Sequence, residues 1–285
     1  MNKKNAVLLI TCPDRKGIVA NVSGFIYKKN GNIVHLDQHT DKESGIFFMR
    51  IEWELKEFAL KRREIIPAMS KILKKFDMQY TLHFSDKKEN VAIFVSKEGH
   101  CLNDLIYRFN NGEFNGNLKL VISNHMNLKE VCDKNNIPFY HIPICPQDRK
   151  LREKEEIKIL KKNKIGLIIL AKYMQILSPS FVSLYRNKII NIHHSFLPAF
   201  IGQKPYHQAY MRGVKIVGAT SHYVTERLDE GPIIEQDIVR VSHKDSVFKI
   251  ISKGRDIEKI TLAKAVRLHL ENKILVYNNK TIIFD

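Results

Sequence analysis

The stretch KIINIHHSFLPAFIGQKPYHQAY begins with apolar residues and turns densely polar where a strand would run out. With period-two alternation, Asn191, His193 and Ser195 share one face while Ile192 and His194 take the other. One face therefore carries an amide beside an imidazole. Further on, VGATSHYVTERLDEGPIIEQD holds a second strand, with Thr220, His222 and Val224 on one face, and then a turn from Leu228 to Pro232 that contains Asp229. An Asn amide can donate to a carbonyl oxygen as it becomes an oxyanion, and such donors contribute ~3 kcal/mol. A His beside a carboxylate has a fixed tautomer and trades protons near neutrality, and the carboxylate can also orient or deprotonate a water. This set suits acyl transfer without a covalent enzyme intermediate, because the nucleophile can be the acceptor itself. Each residue alone also has a structural reading: Asn191 as a strand-end cap, His193 as a satisfied core histidine, Asp229 as a turn-former before Gly231. Their common placement where strands end favours the chemical one.

Two segments of different grammar must position these residues. From Ala6 to Cys12 the chain reads as a strand, and PDRKG leads into a helix with Ile18, Val22, Phe25 and Ile26 at helical spacing, for which Asp14 is a natural cap. NGNIVHLDQHT reads as an Asn-Gly turn and a strand. In SGIFFMRIEWEL, Phe47, Met49, Ile51 and Trp53 alternate with outward residues. A second helix over 65–76 and the strand YTLHF complete a ferredoxin-like βαββαβ order over residues 1–84. The polar run SDKKEN, 85–90, marks a linker. In 91–285 continuous apolar strands such as VAIFVS, LKLVIS and IGLIILA alternate with helical stretches, which implies a doubly wound, mostly parallel sheet covered on both faces. Ligands of such sheets bind beyond the carboxyl ends of the strands.

Bulk composition removes other classes. A chain of 285 residues with 44% hydrophobic content has enough material for two cores. Its N-terminal apolar run, Ala6 to Ile10, is too short for a signal peptide, and no run approaches the roughly 18 residues of a membrane span. The four cysteines, Cys12, Cys101, Cys132 and Cys145, lie far apart without metal-ligand spacing, so free thiols in a reducing cytoplasm are expected and no metal is. The net charge of +17 is spread evenly, with 15 Lys and Arg against 9 Asp and Glu in the first 85 residues, and aromatics are not interleaved with a basic patch. That distribution argues against a nucleic-acid partner.

The strings NIHHSFLPAFIGQKPYHQAY, GATSHYVTERLDEGPIIEQD and AKYMQILSP resemble the folate-dependent formyltransferase family, and within it the formyltetrahydrofolate deformylase branch. PDRKGIVA and GNIVHLDQHTD resemble the family's small N-terminal ACT domain, and KILVYNNKTIIF its closing segment, so the likeness is nearly full length. The resemblance implies that Asn191, His193 and Asp229 are catalytic and that His222 supports the Asp loop, with Ser195 beside it. It implies a folate pocket formed by Met174, Gln175, Ile176 and Leu177 and by Val224, Thr225, Glu226 and Leu228, largely through backbone groups. It also implies hydrolysis of 10-formyltetrahydrofolate to tetrahydrofolate and formate, supplying one-carbon metabolism and purine biosynthesis without a cofactor.

The same catalytic set serves enzymes that pass the formyl group to an amine such as glycinamide ribonucleotide. In those, a Gly- and Ser-rich loop after the first strand cradles the acceptor's phosphate at a helix N-terminus. This chain has SKEGHCLNDL there, with bulky His100 and Cys101 after one glycine, which favours water as acceptor. Packing at a helix start is an equal account of His100 and Cys101. For the ACT-like domain the resemblance implies a homo-oligomer and an amino-acid effector, methionine or glycine, near Asp14, Gly17 and Ile18 and near Asn32 and Ile33. A domain that only drives oligomerisation is the alternative.

Overall fold

The computed structural model describes residues 4–144, 149–198 and 205–284, so Cys145 and the end of the LPAFIGQK stretch lie outside the described residues. The chain divides into two compact units, Met1–Lys88 with Glu271–Leu275 and Ile282–Asp285, and Glu89–Leu270 with Val276–Thr281.

The first unit runs β1 (Asn5–Pro13), α1 (Ile18–Lys28), β2 (Ile33–Asp41), β3 (Ile46–Glu54), α2 (Ile65–Lys75) and β4 (Gln79–Phe84). Its antiparallel sheet has the order β2-β3-β1-β4. Ile18, Val22 and Ile26 of α1 and Ile65, Met69 and Leu73 of α2 recur every four residues, which puts each set on one helix face. They pack on Leu8, Ile10, Met49, Ile51 and Trp53. Two local expectations change. Asp14 does not cap α1: Gly17, at φ +92°, precedes the helix, and no side chain caps it. The residues between the inward positions of β3 are not all outward either, because Phe48 and Arg50 are buried. Arg50 donates to the carbonyls of Glu271 and Asn272 and pairs with Glu52 at 2.8 Å, so the returning C-terminal segment covers that face.

The second unit contains β5 (Glu89–Val95), α3 (His100–Asn110), β6 (Gly116–Ser123), α4 (Lys129–Lys134), β7 (Phe139–His141), α5 (Arg149–Lys162) and β8 (Leu167–Leu170). These are followed by α6 (Pro179–Leu184), β9 (Ile189–His193), α7 (Pro205–Arg212), β10 (Ile216–Tyr223), β11 (Ile233–Arg240) and α8 (Val247–Leu270). The polar run 85–90 ends inside β5, whose first two residues are Glu89 and Asn90. The seven-stranded sheet has the order β11-β10-β9-β8-β5-β6-β7. It is parallel from β7 to β9 and antiparallel at β10 and β11. Ala92 and Phe94 of β5 meet Leu160 of α5 and Phe181 of α6 in one cluster. Val91, Ile93 and Val95, which alternate with them, are also fully buried, so both faces are covered. The mixed α/β architecture read from the sequence is the one observed. A hairpin of β12 (Ile274–Tyr277) and β13 (Lys280–Ile283) ends the chain.

Among the described residues no helix is long and apolar enough to cross a membrane. Cys12, Cys101 and Cys132 are free and buried.

Candidate functional site

Strands β9 and β10 pair antiparallel, with Thr220 opposite His193 and His222 opposite Asn191. Directly opposed residues point to the same face, so the amide and imidazole of β9 lie beside the second histidine. A register irregularity between Ser221 and His222 sets the last turn of β10 against Ile233. Because β10 is antiparallel, its carboxyl end lies away from that of β9, and the segment 224–232 must fold back to bring Asp229 over this face. It does so through a left-handed backbone at Asp229, φ +56°. The return is closed where the Tyr223 amide donates to the Pro232 carbonyl at 2.9 Å. Gly231 permits that closure, since a Cβ there would lie 1.7 Å from the Tyr223 oxygen.

The resulting contacts define protons. Asp229 Oδ2 lies 3.2 Å from His193 Nδ1 and Oδ1 lies 3.6 Å from His222 Nε2. A carboxylate accepts only, so His193 carries its proton on Nδ1 and its Nε2 holds a lone pair when neutral. That Nε2 is buried and without a partner among the described residues. His222 Nδ1 is 2.9 Å from the Tyr223 carbonyl and must be the donor. The neutral ring then accepts at Nε2 from Asn191 Nδ2, 3.2 Å away. One amide hydrogen of Asn191 is thereby fixed, and the other is left for an external oxygen. Burial by itself would push the Asp229 carboxyl up, but the hydrogen bond it accepts from His193 outweighs that and holds it well below the usual carboxylate range. Strand β9 ends at His193, so the face alternation does not reach Ser195; Ser195 is buried, and its carbonyl accepts from Thr220 Oγ1 at 2.9 Å. Thr220 also accepts from the Leu197 amide and from Gln236, a bracing role that the sequence did not reveal.

The expected folate-pocket residues fall on two loops. After β8, Met174 and Ile176 are exposed and Leu177 is buried. The loop is anchored from the end of β5 and from α5: the Met174 amide donates to Ser96 Oγ at 3.0 Å, Arg149 to the Ile176 carbonyl at 2.8 Å, and the Ser178 amide to Glu153 at 2.8 Å. After β10, Val224 donates its amide to Ile189, Thr225 Oγ1 donates to the Arg227 carbonyl, and Glu226 and Leu228 are exposed. Both loops leave apolar side chains exposed, Met174 and Ile176 on the first and Leu228 on the second.

His100 and Cys101 begin α3. Cys101 is fully buried and burial pushes its thiol far above the usual range, so it is an inert packing residue. His100 Nε2 donates to Glu258 of α8 at 2.7 Å. His100, Cys101 and Glu258 lie close enough to hold a cation, but Lys172 already pairs with Glu258 at 3.4 Å and the thiol is protonated, so the trio does not fit a metal. Glu258 escaped the sequence reading. Its signal was a carboxylate on the buried stripe of α8, between Gly254 and Leu262.

In the first unit, the candidate effector residues are not brought together within one chain. Gly17 precedes α1 and Asn32 follows it, and an eleven-residue helix separates them by roughly 16 Å. Asp14 is exposed, Ile18 is part of the core, Asn32 Nδ2 donates to Glu54 at 3.1 Å, and Ile33 is paired with Trp53.

Comparison with known proteins agrees with this architecture. The ACT domain profile matches residues 6–72 and the formyl transferase profile residues 89–266. Formyltetrahydrofolate deformylase of Synechocystis sp. is 51% identical over 284 residues, covering 100% of both chains. A solved formyltetrahydrofolate deformylase from Pseudomonas syringae pv. tomato superposes with a TM-score of 0.97 at 44% identity, covering 100% of this chain and 96% of that one. A glycinamide ribonucleotide transformylase from Symbiobacterium toebii reaches a TM-score of 0.67 at 28% identity, covering 72% of this chain and 98% of its own. The match to deformylases spans both units, and the chain belongs to the formyltetrahydrofolate deformylase family, with an ACT domain ahead of a formyl transferase domain.

Proposed function

We propose that the protein hydrolyses 10-formyltetrahydrofolate to tetrahydrofolate and formate, with Asn191, His193 and Asp229 as its catalytic residues. The observation that carries this reading is the buried Nε2 of His193, without a partner among the described residues, whose other nitrogen is held by Asp229 beside the half-free amide of Asn191. Folate docks between the loops 173–178 and 224–229. His193 Nε2 takes a proton from water as the water oxygen bonds to the formyl carbon. The carbonyl electron pair moves onto oxygen, where Asn191 Nδ2 donates to it. His193 returns the proton to N10 of the folate, the carbon–nitrogen bond breaks, and formate leaves. Asp229 fixes the His193 tautomer and stabilises the imidazolium while it exists. These steps call on no metal or redox cofactor.

The ACT domain supports a small-molecule effector, and methionine or glycine are the candidates. With Gly17 and Asn32 at opposite ends of α1, such a ligand would need residues of a second copy, which fits a homo-oligomer. Free buried thiols support a cytoplasmic location. The test of the activity is incubation of purified protein with 10-formyltetrahydrofolate alone, reading tetrahydrofolate and formate. Release without an acceptor is expected. Release only after addition of an amine acceptor would establish the transferase reading instead.

A further inference from the structure

In the proposed reaction folate docks against the loop between β8 and α6, and this loop has little regular structure to hold its shape. Between Ala171, whose amide donates to the Phe94 carbonyl, and Ser178, whose carbonyl accepts from Val182, no backbone–backbone hydrogen bond ties it down among the described residues. Met174 and Ile176 are exposed, whereas Tyr173 and Leu177 on either side of them are buried. A segment without a backbone ladder keeps one shape only where side chains satisfy its polar groups.

One stripe of α5 supplies those side chains. Arg149, Glu153 and Glu156 recur at four- and three-residue steps, on the helix face from which Leu160 joins the core. A helix as charged as RKLREKEEIKILKK would ordinarily show its charges to solvent, yet Glu153 and Glu156 are buried. Glu156 accepts from Tyr173 Oη at 3.0 Å at the start of the loop, with Arg152 Nε 3.7 Å away, and the Tyr173 ring is set edge-on to Phe94 at 5.2 Å. Glu153 holds the other end twice: Oε1 accepts from the Ser178 amide at 2.8 Å and Oε2 from the Ser178 hydroxyl. Arg149 Nε, 3.3 Å away, also donates to Oε1. Ser178 Oγ accepts in turn from the Phe181 amide at 3.2 Å and so caps α6. Burial pushes the Glu156 carboxyl up to about 7 against the pull of the Tyr173 hydrogen bond and the Arg152 charge, which shows how unfavourable a charge is on this face. Replacing buried ion pairs by apolar side chains of similar volume often leaves stability unchanged or raises it, so packing alone does not call for two carboxylates here. What a carboxylate supplies and a leucine cannot is directed acceptance at chosen points of the loop.

We propose that Glu153 is a positioning residue for the substrate: by holding Ser178 through both its amide and its hydroxyl it fixes the span of the loop 173–178, with Glu156 holding the opposite end at Tyr173, so that the loop is formed before folate arrives. The inference rests on the folate reading of this site and adds what keeps its loop in shape. Its sign separates it from a plain charge effect. Removing an acid near an anionic folate would by charge alone tighten binding. Losing a positioning contact weakens it, since binding must then also order the loop.

The test is calorimetric titration of tetrahydrofolate into the full chain at pH 7, beside steady-state formate release. Glu153→Ala is expected to weaken tetrahydrofolate binding by about tenfold, as loss of a hydrogen bond to a charged group would. KM should rise in step, with kcat within about threefold of the wild type because Asn191, His193 and Asp229 are untouched. Glu153→Gln keeps an acceptor for the Ser178 amide and should recover most of the affinity. Glu155→Gln, at an exposed carboxylate of the same helix, should leave it unchanged. A carboxylate that served stability alone would lower the melting temperature on removal and leave the affinity of the folded protein as it was. A folded Glu153→Ala protein within about twofold of the wild type therefore overturns the proposal. Tighter binding overturns it too, as does a fall in kcat at unchanged affinity. Should circular dichroism show Glu153→Ala unfolded, Ser178→Ala decides: binding about threefold weaker is expected, and unchanged affinity overturns the proposal. Binding is read without turnover, so failure of the hydrolytic reading shows separately, as absence of formate release by a wild type that binds tetrahydrofolate.

Discussion

Replacing Asp229 by Asn tests the reaction centre most directly, because it changes charge while preserving shape. Asn tolerates the left-handed φ of +56° at this position as well as Asp does, so the loop that folds back over β9 and β10 should persist. What disappears is a carboxylate 3.2 Å from His193 Nδ1. Two unit charges about 4 Å apart at an effective dielectric near 20 interact by ~4 kcal/mol. That is the stabilisation an imidazolium at His193 gains from Asp229 and loses in the variant. At 1.36 kcal/mol per tenfold the loss corresponds to roughly a thousandfold in kcat, and an amide that presents its NH2 to Nδ1 would deepen it by moving the His193 proton to Nε2. The folate loops do not involve the carboxylate charge, so KM should stay within about threefold. Steady-state formate release, with the folded state confirmed by circular dichroism, measures both constants. A kcat within tenfold of the wild type would refute the assignment of His193 as a base supported by Asp229.

Four further outcomes follow from the geometry. Asn191→Ala removes the donor aimed at the developing oxyanion, and kcat should fall by about 100- to 1000-fold with little change in KM, read by the same assay. His194 is held at about 4 by burial, whereas the unfolded chain takes the proton near 6.5. Its contribution to stability is therefore complete above about pH 6.5 and is lost progressively as pH falls towards 4, by about 3 kcal/mol in all; urea midpoints at pH 7 and 4.5 should differ accordingly, and His194→Gln should narrow the difference. Gly231→Ala places a Cβ against the Tyr223 carbonyl and should cost about 3 kcal/mol or more together with activity. Gly24→Ala, in an open position of α1, should instead raise the melting temperature slightly.

Local periodicity made much of the molecule legible in the sequence. The four-residue recurrence of Ile18, Val22 and Ile26 and the unbroken apolar run Val91–Val95 follow from helix and parallel-strand geometry, and both elements form as read. Period-two alternation placed Asn191 and His193 on one face, and the β9–β10 register adds His222 to it. The same alternation failed at Phe48 and Arg50, because a strand's pattern cannot say that residues 271–275, more than 200 positions away, return to cover its second face. Asp14 matched a helix cap by residue type, but the backbone turn at Gly17 decided where the helix began.

By itself the sequence determined which side chains are available for acyl chemistry and which strands carry them, since residue type and repeat spacing are local properties. Only the tertiary structure decided that β10 runs antiparallel, that Asp229 folds back onto His193, and that Glu258 meets His100 from 158 residues away. Strand direction, proton placement and the pairing of buried charge depend on contacts between distant segments, which no local pattern encodes.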